Sequence, residues 1–186
     1  DKKGKYLIDE WFYWADNFHD GLAKVQRSDK KYNYIGKDGK ILSKQWFDWV
    51  GDFHNGFARV QRGDGLWNFI DTKGKFLSKE WFICVNNFNE GFAVVERGDG
   101  KWNFINKNGN YLSDEWFYNV HSFQEGFARV QRSDKLWNFI DKKGKLLSDE
   151  WFIDACYLDD GFTVVKRTNG EWAKIDKTGK LIKILQ

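Results

Sequence analysis

Residues 46–80, WFDWVGDFHNGFARVQRGDGLWNFIDTKGKFLSKE, decide how the rest of the chain is read. Phe57 to Arg62 alternates enough for a strand, Gly63-Asp64-Gly65 supplies the positive-φ residues of a tight hairpin, and Leu66 to Asp71 is the returning strand. Asp71 to Lys75 reads as a type I turn closed by Gly74 in the left-handed region, and Phe76 to Ser78 as a short third strand. The stretch therefore predicts a three-stranded meander. Upstream, Lys44 to Asn55 places Trp46, Val50 and Phe53, with Phe57 beyond, at i, i+4, i+7 and i+11. That spacing predicts a short helical or turn connector, ended by Gly56 because glycine tolerates the left-handed conformation just past a helix.

The pattern recurs along the whole chain with no residue inserted or lost. Trp11, Trp46, Trp81, Trp116 and Trp151 are each followed by Phe and lie 35 residues apart. Gly21, Gly56, Gly91, Gly126 and Gly161 keep the same step, as do Tyr32, Trp67, Trp102, Trp137 and Trp172. The chain thus reads as one repeat array over 1–186: units 11–45, 46–80, 81–115, 116–150 and 151–185, a partial N-terminal unit 1–10 opening at Gly4, and a degenerate C-terminal cap 179–186 in which Gln186 takes the Trp column. Phe57 faces one way and Ala58 and Val60 the other, while Trp67 and Phe69 oppose Ile70, so both faces of a unit are apolar. Such a unit is stable only between its copies, the logic of a mainly β, open solenoid-like array. The competing reading is a closed five-bladed propeller-like ring. Propeller blades have four strands and roughly 40–50 residues, so the open array is preferred.

Composition agrees with a folded chain. The 186 residues are 41% hydrophobic and 19% aromatic, ample apolar surface for a core despite a mean hydropathy of -0.69. Thirty Lys and Arg against 27 Asp and Glu give a net charge of +3, mixed in sign throughout, which offers no patch for nucleic acid. No run of roughly 18 apolar residues or basic-then-apolar leader points to membrane insertion or a signal peptide. The absence of Met, even at position 1, points to a processed or excised segment.

The segments GFARVQRGDGLWNFIDTKGKFLS and WFDWVGDFHNGFARV resemble the WG, or KWG, repeats of bacteria. The resemblance covers essentially the whole chain, with departures. Where the family pattern has Gly after Trp, this chain has Asn68, Asn103 and Asn138, with Asn33 after Tyr32 and Ala173 in the last unit. The entry aromatic is Trp-Phe rather than a single Tyr. The resemblance implies a divergent, β-rich repeat protein of bacterial or phage origin, often secreted or surface-associated, with interaction roles and no catalytic residues to carry over.

The residues themselves offer little chemistry. Ser43, Ser78, Ser113 and Ser148 repeat before the connector as turn or cap residues, not nucleophiles. Cys84 and Cys156 lie two units apart, too far to bridge if units stack, and read as free, mostly buried thiols. Asp29, Asp64, Asp99 and Asp134 each follow an Arg by two residues, and so read as hairpin ion pairs rather than calcium ligands, for which six to eight oxygens are wanted. No metal or cofactor is expected, and no enzyme.

Invariant columns are needed for stacking, so only variable ones can encode a ligand. Trp14 and Trp49 add aromatics in the first two units, with Tyr13, His19 and His54 nearby, a candidate platform for sugar, peptide or base. The bland alternative is wider packing of the connector at that end. The favoured function is a non-enzymatic scaffold or binding module for protein or another macromolecule. The alternatives are a carbohydrate-binding module using those tryptophans and a structural spacer of a larger surface or phage protein.

Overall fold

The computed structural model describes residues 7–185, so Gly4 and Gln186 lie outside the described residues. The chain divides into two units, 1–85 and 86–186. Each repeat uses one two-residue strand and two five-residue strands, the fifth adding one more five-residue strand, and no helix occurs among the described residues.

In the first unit, β1 (Trp14–Ala15), β2 (Leu22–Gln26) and β3 (Tyr32–Gly36) form one antiparallel sheet, and β4 (Trp49–Val50), β5 (Phe57–Gln61) and β6 (Trp67–Asp71) a second, each in chain order. The two-residue β7 (Cys84–Val85) ends this unit. The second unit begins its strands with the hairpin β8 (Phe92–Glu96) and β9 (Trp102–Asn106), in which Phe92 pairs with Asn106 and Glu96 with Trp102. The sheet β10 (Asn119–Val120), β11 (Phe127–Gln131), β12 (Trp137–Asp141) follows. Last comes the four-stranded sheet of β13 (Asp154–Ala155), β14 (Phe162–Lys166), β15 (Trp172–Asp176) and β16 (Leu181–Leu185).

The hairpins thus fall where the turn chemistry puts them, and the connector does not. Lys44 to Asn55 forms no helix: it bends at Lys44 and Gln45, contains the two-residue strand β4 and ends in a turn at Asn55. Phe47 is bridged to Tyr32 and His54 to Phe57, and in between Asp48 N–H donates to Gln61 O and Gly51 N–H to Arg59 O. With its polar groups committed to neighbouring strands, the segment has none left for an i→i−4 ladder, and β4 pairs with β5 through Trp49↔Gln61 and Val50↔Val60. The 3.6-like spacing arises because its apolar residues enter different contacts. Phe47 and Val50 are buried, Trp46 lies under Arg27, and Phe53 packs on the ring of Tyr34. Gly56 is accordingly not a helix cap. Asn55 and Gly56 have φ of 56° and 87°, and His54 and Phe57 exchange both backbone hydrogen bonds, a two-residue hairpin of the primed type that matches strand twist. The expected third strand at Phe76–Ser78 shrinks to a single bridge, Ile70↔Phe76.

Three repeated side-chain columns hold this frame. First, the Asn that departs from the family pattern is fully buried. Asn68 Nδ2 donates to Ser78 O and Glu80 O at 2.9 and 3.0 Å, while its Oδ1 accepts Phe69 N–H at 2.8 Å. Asn33, Asn103 and Asn138 do the same. The loop they hold bends at a serine whose Oγ accepts the N–H two residues on, as Ser78 does from Glu80, so the serines are turn residues. The last repeat explains itself by contrast. There the chain runs straight as β16, Ala173 pairs with Ile184, and no bent loop presents carbonyls that an Asn must satisfy.

Second, each hairpin Arg covers the entry Trp of the next repeat. Arg27, Arg62, Arg97 and Arg132 lie 4.3 to 4.5 Å from the rings of Trp46, Trp81, Trp116 and Trp151. The same arginines pair with Asp29, Asp64, Asp99 and Asp134, whose carboxyls they hold below the usual range. Where Asn169 replaces the Asp, Arg167 turns to Glu150 and Glu171. Third, the glycine column in the turns after β3, β6 and β12, Gly39, Gly74 and Gly144, lets the preceding repeat approach. A Cβ on Gly144 would stand 2.7 Å from Leu112 O.

Between repeats lie the cores. In the first unit Tyr34, Phe47, Val50, Ala58, Val60 and Ile70 form one buried cluster, with Leu42, Phe76 and Trp81 against it. The second unit has two, around Phe104, Phe117 and Phe123 and around Phe139, Phe152 and Leu158. Each buried Phe or Ile contributes about 1.5–3 kcal/mol, which is why the WF pair recurs without a slip.

Candidate functional site

Two turns of the first unit converge on a cleft of about 460 Å³. Repeat 1 supplies Asp16, Asn17, His19 and Asp20 ahead of β2, and repeat 2 supplies Asp52, Phe53 and His54 ahead of β5; Leu22, Lys24 and Tyr34 complete the lining. His19 and His54 occupy the first position of equivalent two-residue turns, each exchanging backbone hydrogen bonds with Leu22 or Phe57, so two sequence-expected residues are brought to one site.

Charge is arranged across this cleft. Lys24 Nζ lies 2.9 Å from Asp52 and 3.6 Å from Asp16. The hydrogen bond from Lys24 holds the Asp52 carboxyl below its ordinary range, and its counterpart raises the Lys24 ammonium. Tyr34 forms the floor. Its hydroxyl donates to Gly51 O at 2.5 Å, and burial pushes its pKa up, so it stays a neutral phenol. Among the described residues, no Ser, Thr or Cys lines the cleft, and its one hydroxyl, that of Tyr34, is hydrogen-bonded to Gly51 O. Its size and mixed polar and aromatic lining suit binding.

The remaining expected residues lie on the adjoining strands. Tyr13 is 79% and Trp14 43% exposed, with Trp14 on β1. Trp49, 39% exposed on β4, has its ring in contact with Trp67 at 5.3 Å and under Arg59. Its ring also lies over Gly51, where an added Cβ would meet it at 2.9 Å. Trp49 is therefore in part a packing residue. Neither Cys84 nor Cys156 is in a disulfide; Cys84 is half-buried and Cys156, just past β13, is exposed, so the expectation of mostly buried thiols fails at Cys156.

The second unit has a related cleft of about 510 Å³, lined by Asn89, Glu90, His121, Ser122, Phe123, Gln124 and Tyr157. Most lie in the same columns as the first cleft. Here the turn acids brace successive repeats. Glu90 accepts Gly126 N–H at 3.0 Å and pairs with Lys142 at 2.9 Å; Glu125 accepts Gly161 N–H at 3.3 Å and pairs with Lys177 at 3.1 Å. Both carboxyls are held below their ordinary range, first by those lysines. Oxygens of Glu125, Asp159 and Asp160 lie within 4.8 Å of one another, all exposed, with Glu125 already committed to Lys177.

Two arginines of the repeat escape the sequence reading. Arg59 and Arg129, equivalent in β5 and β11, carry no ion pair among the described residues, and each points a guanidinium at the backbone of the following connector, at Val85 O and Ala155 O respectively. Arg129 is flanked by His121, whose Nε2 is 2.9 Å from Arg129 Nη2. In the repeat, His121 stands in another column than His19 and His54. The signal for the turns was present as Asn55-Gly56.

A family model described as WG containing repeat matches residues 34–67 and 104–137. No curated protein matches the chain. Among solved structures, the computationally designed Ika8 protein is similar at 13% identity over 91% of this chain and 60% of that one, with a TM-score of 0.41. The WD40 β-propeller domain of Doa1 is 14% identical over 91% of this chain and 67% of that one, with a TM-score of 0.37. BamB from Moraxella catarrhalis is 9% identical over 91% and 62%, with a TM-score of 0.38. The chain thus spans about three fifths of the length of Ika8 and BamB.

Proposed function

We propose that this chain, which carries WG-containing repeats on an all-β frame, is a non-enzymatic binding module that recognises a macromolecular partner through the clefts between consecutive repeats. One observation carries the reading. Beside lining residues that belong to the repeated core, such as Tyr34, Phe53 and Phe123, the clefts are lined by polar columns that change from repeat to repeat. The first turn position runs His19, His54, Asn89, Gln124, Asp159, and the position two before it runs Asn17, Asp52, Asn87, Ser122, Tyr157. The buried Asn and the Arg-covered Trp recur almost unchanged. Sequence freedom at these polar cleft positions fits a surface that reads different chemistry at each step along one ligand. A protein partner is favoured because the clefts alternate acidic, cationic and amide groups rather than presenting aromatic faces alone.

A carbohydrate-binding module is the second reading, supported by the exposure of Tyr13 and Trp14 side by side at the first repeat. A spacer role is the third. Peptide and glycan arrays probed with the wild type, with His19→Ser/Asp52→Asn/His54→Ser and with Tyr13→Ala/Trp14→Ala separate the three. Peptide signal lost only in the cleft variant supports the first reading. Glycan signal lost only in the aromatic variant would replace it with the second, and no signal on either array would leave the spacer. The open array is part of the same proposal: a chain lacking one 35-residue repeat still folds, and its collapse would favour the ring.

A further inference from the structure

Among the described residues, His121 is the one histidine whose ring is hydrogen-bonded to a cation, Arg129 of its own fourth repeat, and the pair reaches the fifth repeat through Tyr157 and Ala155. Arg129 Nη2 is 2.9 Å from His121 Nε2. An arginine only donates, so Nε2 accepts and carries no proton. The proton of the neutral ring is therefore on Nδ1, which donates to the Tyr157 hydroxyl at 3.1 Å. Arg129 Nη1 in turn donates to Ala155 O, and its guanidinium lies over the rings of Tyr157 at 4.2 Å and Trp137 at 4.9 Å. His121 completes the cluster with ring contacts of 5.5 Å to both Trp137 and Tyr157. Four groups from two successive repeats are thus joined in one arrangement that needs a neutral imidazole.

We propose that His121, Arg129 and Tyr157 form a proton-operated latch between the fourth and fifth repeats, closed while His121 is neutral and released when it is protonated. Protonation puts a donor on Nε2, facing the Arg129 donor, and sets two cations in contact. The guanidinium cannot give up its proton, so the imidazolium must swing away. Among the described residues, no carboxylate is hydrogen-bonded to the His121 ring, whose partners are Arg129 and Tyr157. From the turn ahead of β8, Glu90 lines the same cleft, but its carboxylate is taken by Lys142 and by Gly126 N–H. Ser122, Gln124 and Asn89 are uncharged, and Tyr157 is a phenol. Arg129 Nε is buried with no hydrogen-bond partner, so the guanidinium is already under-satisfied and gains nothing from a second cation.

The sign follows directly. Burial first, and the Arg129 charge second, hold the His121 pKa below its ordinary value of 6.5. A base whose folded pKa is depressed contributes stability above the unfolded value, and that stability is lost as pH falls from 6.5 through the folded pKa. Releasing the ring also reshapes the cleft that His121 and Tyr157 line, so binding there becomes acid-sensitive. The latch itself does not depend on what the cleft binds.

The test is an NMR titration of the ring signals of the chain's 3 histidines, assigned with single His→Gln variants, while Trp137 and Tyr157 report on the seam. The expected result is a His121 midpoint below 6.5, with Trp137 and Tyr157 signals moving at that same midpoint. His121→Gln, whose amide can accept from Arg129 and donate to Tyr157, should keep the seam closed and abolish the acid response. Arg129→Met should raise the His121 midpoint. A midpoint at or above the ordinary value, or an acid response that persists in His121→Gln, would overturn the latch. Should His121→Gln fail to fold, the wild-type and Arg129→Met midpoints decide alone.

Discussion

The second and fourth repeats solve one packing problem in two ways. Each has an arginine in the middle of its central strand, Arg59 or Arg129, and a hairpin tryptophan beside it, Trp67 or Trp137. In the second repeat, Trp49 fills the space over the arginine and folds across Gly51. In the fourth, the tryptophan position is Asn119, the glycine position is His121, and the imidazole takes the place of the indole against Trp137. Trp-x-Gly and Asn-x-His are thus alternative fillings of one slot. The first repeat offers a third, with Lys24 for the arginine and Asp16 in the glycine position as its partner. The frame is held constant and the slot is re-equipped, and only the histidine filling is sensitive to pH in the neutral range.

The largest expected effect bears on the shared frame. Asn68→Ala and Asn138→Ala each remove two buried hydrogen bonds to loop carbonyls and one from a backbone N–H, and each should destabilise by about 2–4 kcal/mol in urea unfolding. Similar losses at the two sites would show that the slots differ on an equal footing; a loss at one alone would break the comparison. Next, His121→Gln should flatten the dependence of stability on pH below 6.5, whereas Trp49→Phe should leave that dependence unchanged. Thermal unfolding followed at several pH values measures both. The smallest effect is in the backbone. Lys135 holds φ of 67° where the second repeat has Gly65 at 84°. Lys135→Gly should therefore stabilise by roughly 0.5–1 kcal/mol, since a side chain in the left-handed region is strained. Gly65→Lys should lose a similar amount.

Much of this frame was legible from residues alone. The 35-residue step, the hairpins at Gly65 and the Arg–Asp pairs follow from local turn chemistry and repetition. The connector was not legible as a strand, because β4 is two residues long and owes its form to hydrogen bonds from β5, which lies later in the chain. Asn68 stood out as a departure from the family pattern, yet its reason is a bent loop ten to twelve residues away. Of the candidate site, His19 and His54 could be placed together because they share a column, and they do line one cleft. Trp49 was read as a free platform because its partner glycine, Gly51, carries no signal of a ring above it. His121 was passed over for the same reason: its meaning lies in Arg129, across the strand pair.

The interchangeability of slot fillings is tested most directly by transplanting one. Gly51→His alone drives an imidazole into the Trp49 ring, and overpacking of this kind destabilises by about 1–3 kcal/mol. Adding Trp49→Asn recreates the fourth-repeat filling in the second repeat. In a double-mutant cycle measured by urea unfolding near pH 8, the expected result is recovery of most of that loss, with a coupling of about 1 kcal/mol or more between the two positions. Additive losses, leaving the double variant less stable than Gly51→His alone, would contradict a common frame with exchangeable slots.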